Sequence, residues 1–105
     1  PATPATDDAR SRTITRLTYH SRKRGILETT LILSRFADDH LAALSDEDRA
    51  DYEQLIMSND WSEWDLYRYL TADEQRLDAP EQVRAWPVFW QLREMIKQDG
   101  GVVAR

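Results

Sequence analysis

At 105 residues, 41% hydrophobic and 31% charged, the chain suits one domain with a modest core, and no apolar run nears the roughly 18 residues of a membrane span. The absence of cysteine excludes disulfides, thiolate catalysis and cysteine-based metal sites. A formal net charge of -5 hides a basic head (Arg10, Arg12, Arg16, Arg22, Lys23, Arg24) on a body that is acidic from Asp38 to Glu81, a balance that disfavours nucleic acid or lipid as partner.

The opening PATPATDD has neither an initiator Met nor a secretory apolar core, so it reads as a processed or trimmed terminus, and residues 1–12 are expected to be disordered. From there the apolar residues recur at helical spacing, β-branched runs are scarce, and no hairpin turn separates strand-like segments. The fold class expected is all-α, a compact five-helix bundle over residues 13–99 with a flexible tail at 100–105.

A first helix is expected over 13–23, with Ile14, Leu17 and Ser21 inward and Arg12, Arg16 and Lys23 outward. The second, over about 26–43, carries Ile26, Leu27, Leu31, Leu33, Phe36, Ala37 and Leu41, followed by Leu44. These cover more than one stripe and mark it as the central helix. Ser45 reads as the N-cap of a third helix over 46–57, with Asp48 in the capping position and Tyr52, Leu55 and Ile56 facing the core.

Ser58, Asn59 and Asp60 read as a turn into the aromatic-rich WSEWDLYRYL, a short amphipathic helix in which Trp61, Trp64 and Tyr67 share a face beside Leu66, Tyr69 and Leu70. Residues 71–80 read as a loop. The last helix is expected to start near Pro87, since proline is tolerated at a first helical position. It presents Val88, Phe89, Leu92, Met95 and Ile96 inward and stops at Gly100.

The inventory for catalysis is thin. His20 and His40 stand twenty residues apart with no metal-binding spacing, and no serine or threonine sits in a nucleophile motif with a recognisable base. Gly25 is isolated between two helix-forming segments, where glycine marks a left-handed corner or a close backbone approach. Arg24 and Glu28 flank it. If a helix ran through, they would form an ordinary surface pair. If it breaks at Gly25, the two heads form a fork of donor and acceptor suited to another protein's polar surface.

RKRGILE at 22–28 resembles the RGxxE signature of the succinate dehydrogenase assembly factor 2 family, called SdhE in bacteria. The resemblance extends upstream through Arg16, Tyr19, Ser21, Arg22 and Lys23. Downstream it runs through LILSRFADDHL, LSDEDRADYEQLI and NDWSEWDLYRYL, covering about residues 14–71. It implies a small helical assembly factor that binds the flavoprotein subunit of succinate dehydrogenase and promotes covalent attachment of FAD to a histidine of that subunit. The implied partner-binding residues are Arg16, Tyr19, Lys23, Arg24, Gly25, Glu28 and Asp65. No catalytic residue, metal or cofactor of its own is implied, since FAD is carried by the client. The factor is expected to be a monomer when free and to reside in the mitochondrial matrix, with bacterial cytoplasm as the alternative.

Ser62, Glu63 and Trp64 are extra relative to the common NDWDLY-like form. Asp65, Leu66 and Tyr67 are aligned with it, and either Trp61 or Trp64 is left as the family tryptophan. The rival functions are a helical adaptor for another client and a nucleic-acid binder.

Overall fold

Five helices are expected from the apolar spacing. The structure, a computed structural model describing residues 7–23 and 26–98, contains these five and one further short turn of helix. They are α1 (Asp7–Lys23), α2 (Leu27–His40), α3 (Asp46–Met57), α4 (Glu63–Thr71), α5 (Glu81–Arg84) and α6 (Pro87–Gln98). A 3-10 turn at Leu41–Ala43 prolongs α2, and another at Glu74–Arg76 lies between α4 and α5. The fold is all-α.

The central position of α2 is observed: it packs along α1 and reaches α4 and α6, while α6 closes the other side against α3, α4 and α5. One continuous core results, centred on Leu17, Leu33, Phe36, Tyr52, Leu55 and Phe89, all sealed from solvent. The ring of Phe36 stacks on that of Tyr52 at 5.5 Å. Ser21 lies inward as its spacing predicts: its hydroxyl donates to Leu17 O at 2.7 Å, leaving the oxygen to accept from the Tyr52 hydroxyl at 2.5 Å. Burial pushes the Tyr52 phenol above its ordinary pKa of 10.

Helix boundaries follow local chemistry. Ser45 caps α3, its Oγ accepting from Asp48 N at 3.0 Å. Pro87 opens α6, and its five predicted inward residues are all buried. Arg49, only 3% exposed, donates to Leu41 O and Leu44 O at the corner between α2 and α3 and also to the Asp46 carboxylate. Arg93 closes the C-terminal end of α4 by donating to Tyr69 O and Ala72 O. Both guanidinium groups answer carbonyls at or just beyond helix ends, where backbone acceptors are in surplus.

Four expectations are corrected. Helix α1 begins at Asp7 rather than 13, so residues 7–12, expected to be disordered, are helical. Asp7 and Asp8 sit at the positive helix end, and Arg10 bridges Asp7 and Asp46 at 3.3 Å each. The fourth helix starts at Glu63, because Ser62 and Asp65 form a reciprocal capping box just ahead of it.

Trp61 therefore precedes the helix and does not share a face with Trp64 and Tyr67. It is 6% exposed, its indole N–H donates to Leu55 O at 3.0 Å, and its ring lies edge-on to Tyr69 and Trp86. Finally, Leu27 and Leu31 point outward, since α2 buries the opposite face through Thr29, Ile32, Leu33, Phe36 and Ala37. The Gly100 stop, the 100–105 tail and residues 1–6 lie outside the described residues.

Candidate functional site at the end of α1 and α2

Helix α1 is strapped on both sides. Arg16 makes a two-pronged contact with Glu53 of α3 at 2.8 and 3.1 Å, and Arg22 meets Asp38 of α2 at 2.8 Å. Each pair is solvent-exposed and contributes at most about 1 kcal/mol, but together they fix how α1 is rotated between its neighbours. The Glu53 hydrogen bond raises the Arg16 pKa further above its ordinary value, so this guanidinium is held as a cation already committed to an internal carboxylate. Within the molecule this pair positions α1 against α3, and the Arg16 side chain stays partly exposed.

The rotation leaves Tyr19 and Lys23 outside. Tyr19 is 57% exposed, its ring lies edge-on to His20 at 5.4 Å, and the Lys23 ammonium sits 5.8 Å from the ring centroid. Such a pair at helical spacing of four presents an apolar ring and a charge as one unit. Arg24 and Gly25, the centre of the predicted corner, lie outside the described residues.

Beyond them Ile26 takes an extended conformation (φ -76°, ψ 164°) as the N-cap of α2, so the helical path is interrupted before Leu27. Glu28 is half-buried in the first turn of α2, where the positive helix end favours its charge.

Asp65 stands apart from this group. Its carboxylate accepts from Ser62 N at 3.1 Å and from Arg68 at 2.8 Å, and Arg68 reaches on to Asp78. The Ser62 backbone hydrogen bond, followed by the Arg68 contact, holds the carboxyl below its ordinary pKa. This is helix-capping work within α4, and no hydrogen bond or ion pair among the described residues joins Asp65 to α1 or α2.

Sequence reasoning missed two members of the surface. Leu27, 68% exposed, and the exposed Leu31 lie one turn apart on the outer face of α2, directly after the motif. The signal was present: α2 carries more apolar residues than one buried face accommodates. An exposed tyrosine, two leucines, a lysine and a half-buried glutamate make a surface suited to recognising another polypeptide. Among the described residues no cluster of three or more His, Asp or Glu is placed to hold a metal ion. No helix among them is long and apolar enough to cross a membrane.

The sequence pattern of the family described as flavinator of succinate dehydrogenase matches residues 15–96. Among relatives, the mitochondrial succinate dehydrogenase assembly factor 2 of Komagataella phaffii is 38% identical over 90 residues, covering 86% of this chain and 46% of that protein. The protein of the same name from Meyerozyma guilliermondii is 39% identical over 92 residues, 88% of this chain and 61% of its own length. That of Schizosaccharomyces japonicus is 41% identical over 88 residues, 84% and 57% respectively. The chain thus spans about half the length of the curated relatives it matches.

Proposed function

Because the chain belongs to the flavinator of succinate dehydrogenase family, we propose that it binds the flavoprotein subunit of that enzyme in the mitochondrial matrix and promotes covalent attachment of FAD to it. The observation that carries the reading is the outward surface of Tyr19, Lys23, Leu27 and Leu31 on either side of the motif positions 24 and 25. The mitochondrial setting is supported by the names of the relatives.

In this reading the client supplies both the histidine and the flavin, and this chain contributes orientation rather than an acid, a base or a cofactor. Apolar contact through Leu27, Leu31 and the Tyr19 ring holds the client, while Lys23, Arg24 and Glu28 set the register through polar pairs. Favouring the client conformation in which the histidine lies at reacting distance from the flavin lowers the barrier by several kcal/mol without any bond being broken by the factor.

The nucleic-acid alternative is weakened by the ion pairs. Arg10, Arg16 and Arg22, half of the basic head, are already engaged by internal carboxylates and have little charge left for phosphates.

Reconstitution tests the proposal: purified client subunit, FAD and the factor are mixed, and covalent flavin is read by fluorescence of the denatured client. Tyr19→Ala and Glu28→Ala are expected to fold normally by circular dichroism yet lower the flavin yield. Full yield with both variants contradicts the assignment. A client other than a flavoprotein, captured through the same surface, would point to the adaptor alternative, and sedimentation of the free factor should show a monomer.

A further inference from the structure

A second surface, on α4, is not used by the α1–α2 reading. Trp64 is 62% exposed, so the residue type with the largest apolar area stands in solvent while Trp61, three residues earlier, is locked into the core. It is held in place without being covered: its ring and that of Tyr67 lie perpendicular at 6.4 Å and 88°, which orients the indole while most of it stays exposed. A shallow concavity of about 460 Å³ lies beside it, lined by Asn59, Asp60, Ser62, Glu63 and Asp65.

The charge of this rim is one-sided. Three carboxylates and no cation line the concavity. The Asp65 carboxylate is taken by Ser62 and Arg68, whereas Asp60 and Glu63 are exposed and enter no ion pair among the described residues. The helix end contributes roughly half a positive charge, which Asp65 already offsets, so Asp60 and Glu63 leave the rim negative.

Elsewhere in the described residues each cation over a ring has found its aromatic partner, at Tyr19, Tyr69, Phe89 and Trp90. Trp64, the most exposed of the tryptophans described, carries none of these contacts.

We propose that Trp64, with Asp60 and Glu63, forms a second docking site that takes an arginine-bearing basic segment of a protein partner, the guanidinium lying on the indole face and its N–H groups donating to the two carboxylates. Arginine is favoured over lysine because its planar, weakly hydrated head both stacks on a ring and forks onto carboxylates. A second copy of this chain, which also exposes Arg12, Arg76 and Arg84, is the competing occupant that sedimentation separates. The proposal does not depend on the α1–α2 reading.

Fluorescence anisotropy with the full chain tests it, using a labelled arginine–glycine peptide beside its lysine and glutamate counterparts at low salt. The arginine peptide is expected to bind more tightly than the lysine peptide, with no binding of the glutamate peptide. Trp64→Ala should weaken arginine-peptide binding about tenfold and Asp60→Asn with Glu63→Gln about fivefold, with melting temperatures unchanged because the three side chains are exposed. Glu28→Ala, which lies on the other surface, should leave peptide binding as it is.

Unchanged peptide binding by Trp64→Ala overturns the proposal, as does equal binding of the arginine and lysine peptides. Concentration-dependent dimerisation in sedimentation that Trp64→Ala abolishes also overturns it, in favour of a second copy as occupant.

Discussion

The two ends of the molecule use the same residue types for opposite ends. On the side built from α3, α4 and α6, the guanidinium groups of Arg49 and Arg93 are folded onto backbone carbonyls and Trp61 gives its indole N–H to Leu55 O. At the end formed by α1 and α2, Lys23 lies over an exposed Tyr19 ring and two leucines face water. What separates them is the supply of unsatisfied backbone acceptors. Helix ends packed against the core draw cations inward, and where a core face is already full, apolar and charged groups stay outside for something else to meet.

This contrast can be broken at several places, beginning with the core. Phe89→Ala should cost about 3–5 kcal/mol in denaturant unfolding, since it empties a fully buried site between α6 and its neighbours. A loss below about 1 kcal/mol would mean that this side is not the rigid one.

Arg49→Met should cost about 1–3 kcal/mol, because it leaves the carbonyl of Leu44 without its donor in a buried corner and removes a second donor from Leu41 O. Arg16→Met, which loses only the exposed Glu53 pair, should cost at most about 1 kcal/mol. Equal costs for the two would erase the distinction between inward and outward arginines.

Tyr52→Phe should cost about 0.5–1.5 kcal/mol near neutrality by removing the hydrogen bond to Ser21. The sign of its pH dependence is set by burial, which raises the folded-state pKa of the phenol above the ordinary 10. The stability associated with the neutral phenol is complete below pH 10 and is lost as pH rises beyond it, toward the raised folded value. Alkaline unfolding followed by circular dichroism should therefore be steeper in the wild-type chain than in Tyr52→Phe.

Asp65 has the opposite sign. Its lowered pKa makes a contribution that is present above 3.8 and is lost as pH falls below that value through the folded one, so Asp65→Asn should flatten the acid limb. The smallest effect on stability belongs to the outer face. Leu27→Ser with Leu31→Ser should shift it by about 0.5 kcal/mol or less, since neither side chain is buried.

Much of this was legible in the sequence where the signal is local. Ser45 and Asp48 place the start of α3, Pro87 places that of α6, and the spacing of Ser21 puts it against the core. What was not legible depends on partners distant along the chain. The early start of α1 relies on Arg10 reaching Asp46, thirty-six residues away. The burial of Arg49 depends on the corner between α2 and α3, which surrounds its guanidinium with carbonyls.

At the aromatic segment the capping serine, Ser62, directly follows Trp61, so the helical spacing of the aromatic residues extends one step ahead of the helix itself. The sequence pattern puts Lys23 on the outside of α1, and Tyr19 is exposed beside it. Arg16 and Asp65 were assigned by resemblance, and their internal carboxylate and capping contacts appear only in three dimensions.

The central claim is that the outer face of α2 beside the motif is where the client is held. It is tested most directly by titrating the purified flavoprotein subunit with the wild-type chain and with the Leu27→Ser, Leu31→Ser double variant, and measuring the dissociation constant of each. The account predicts binding about tenfold weaker or worse for the variant at an unchanged melting temperature. Equal dissociation constants would contradict it.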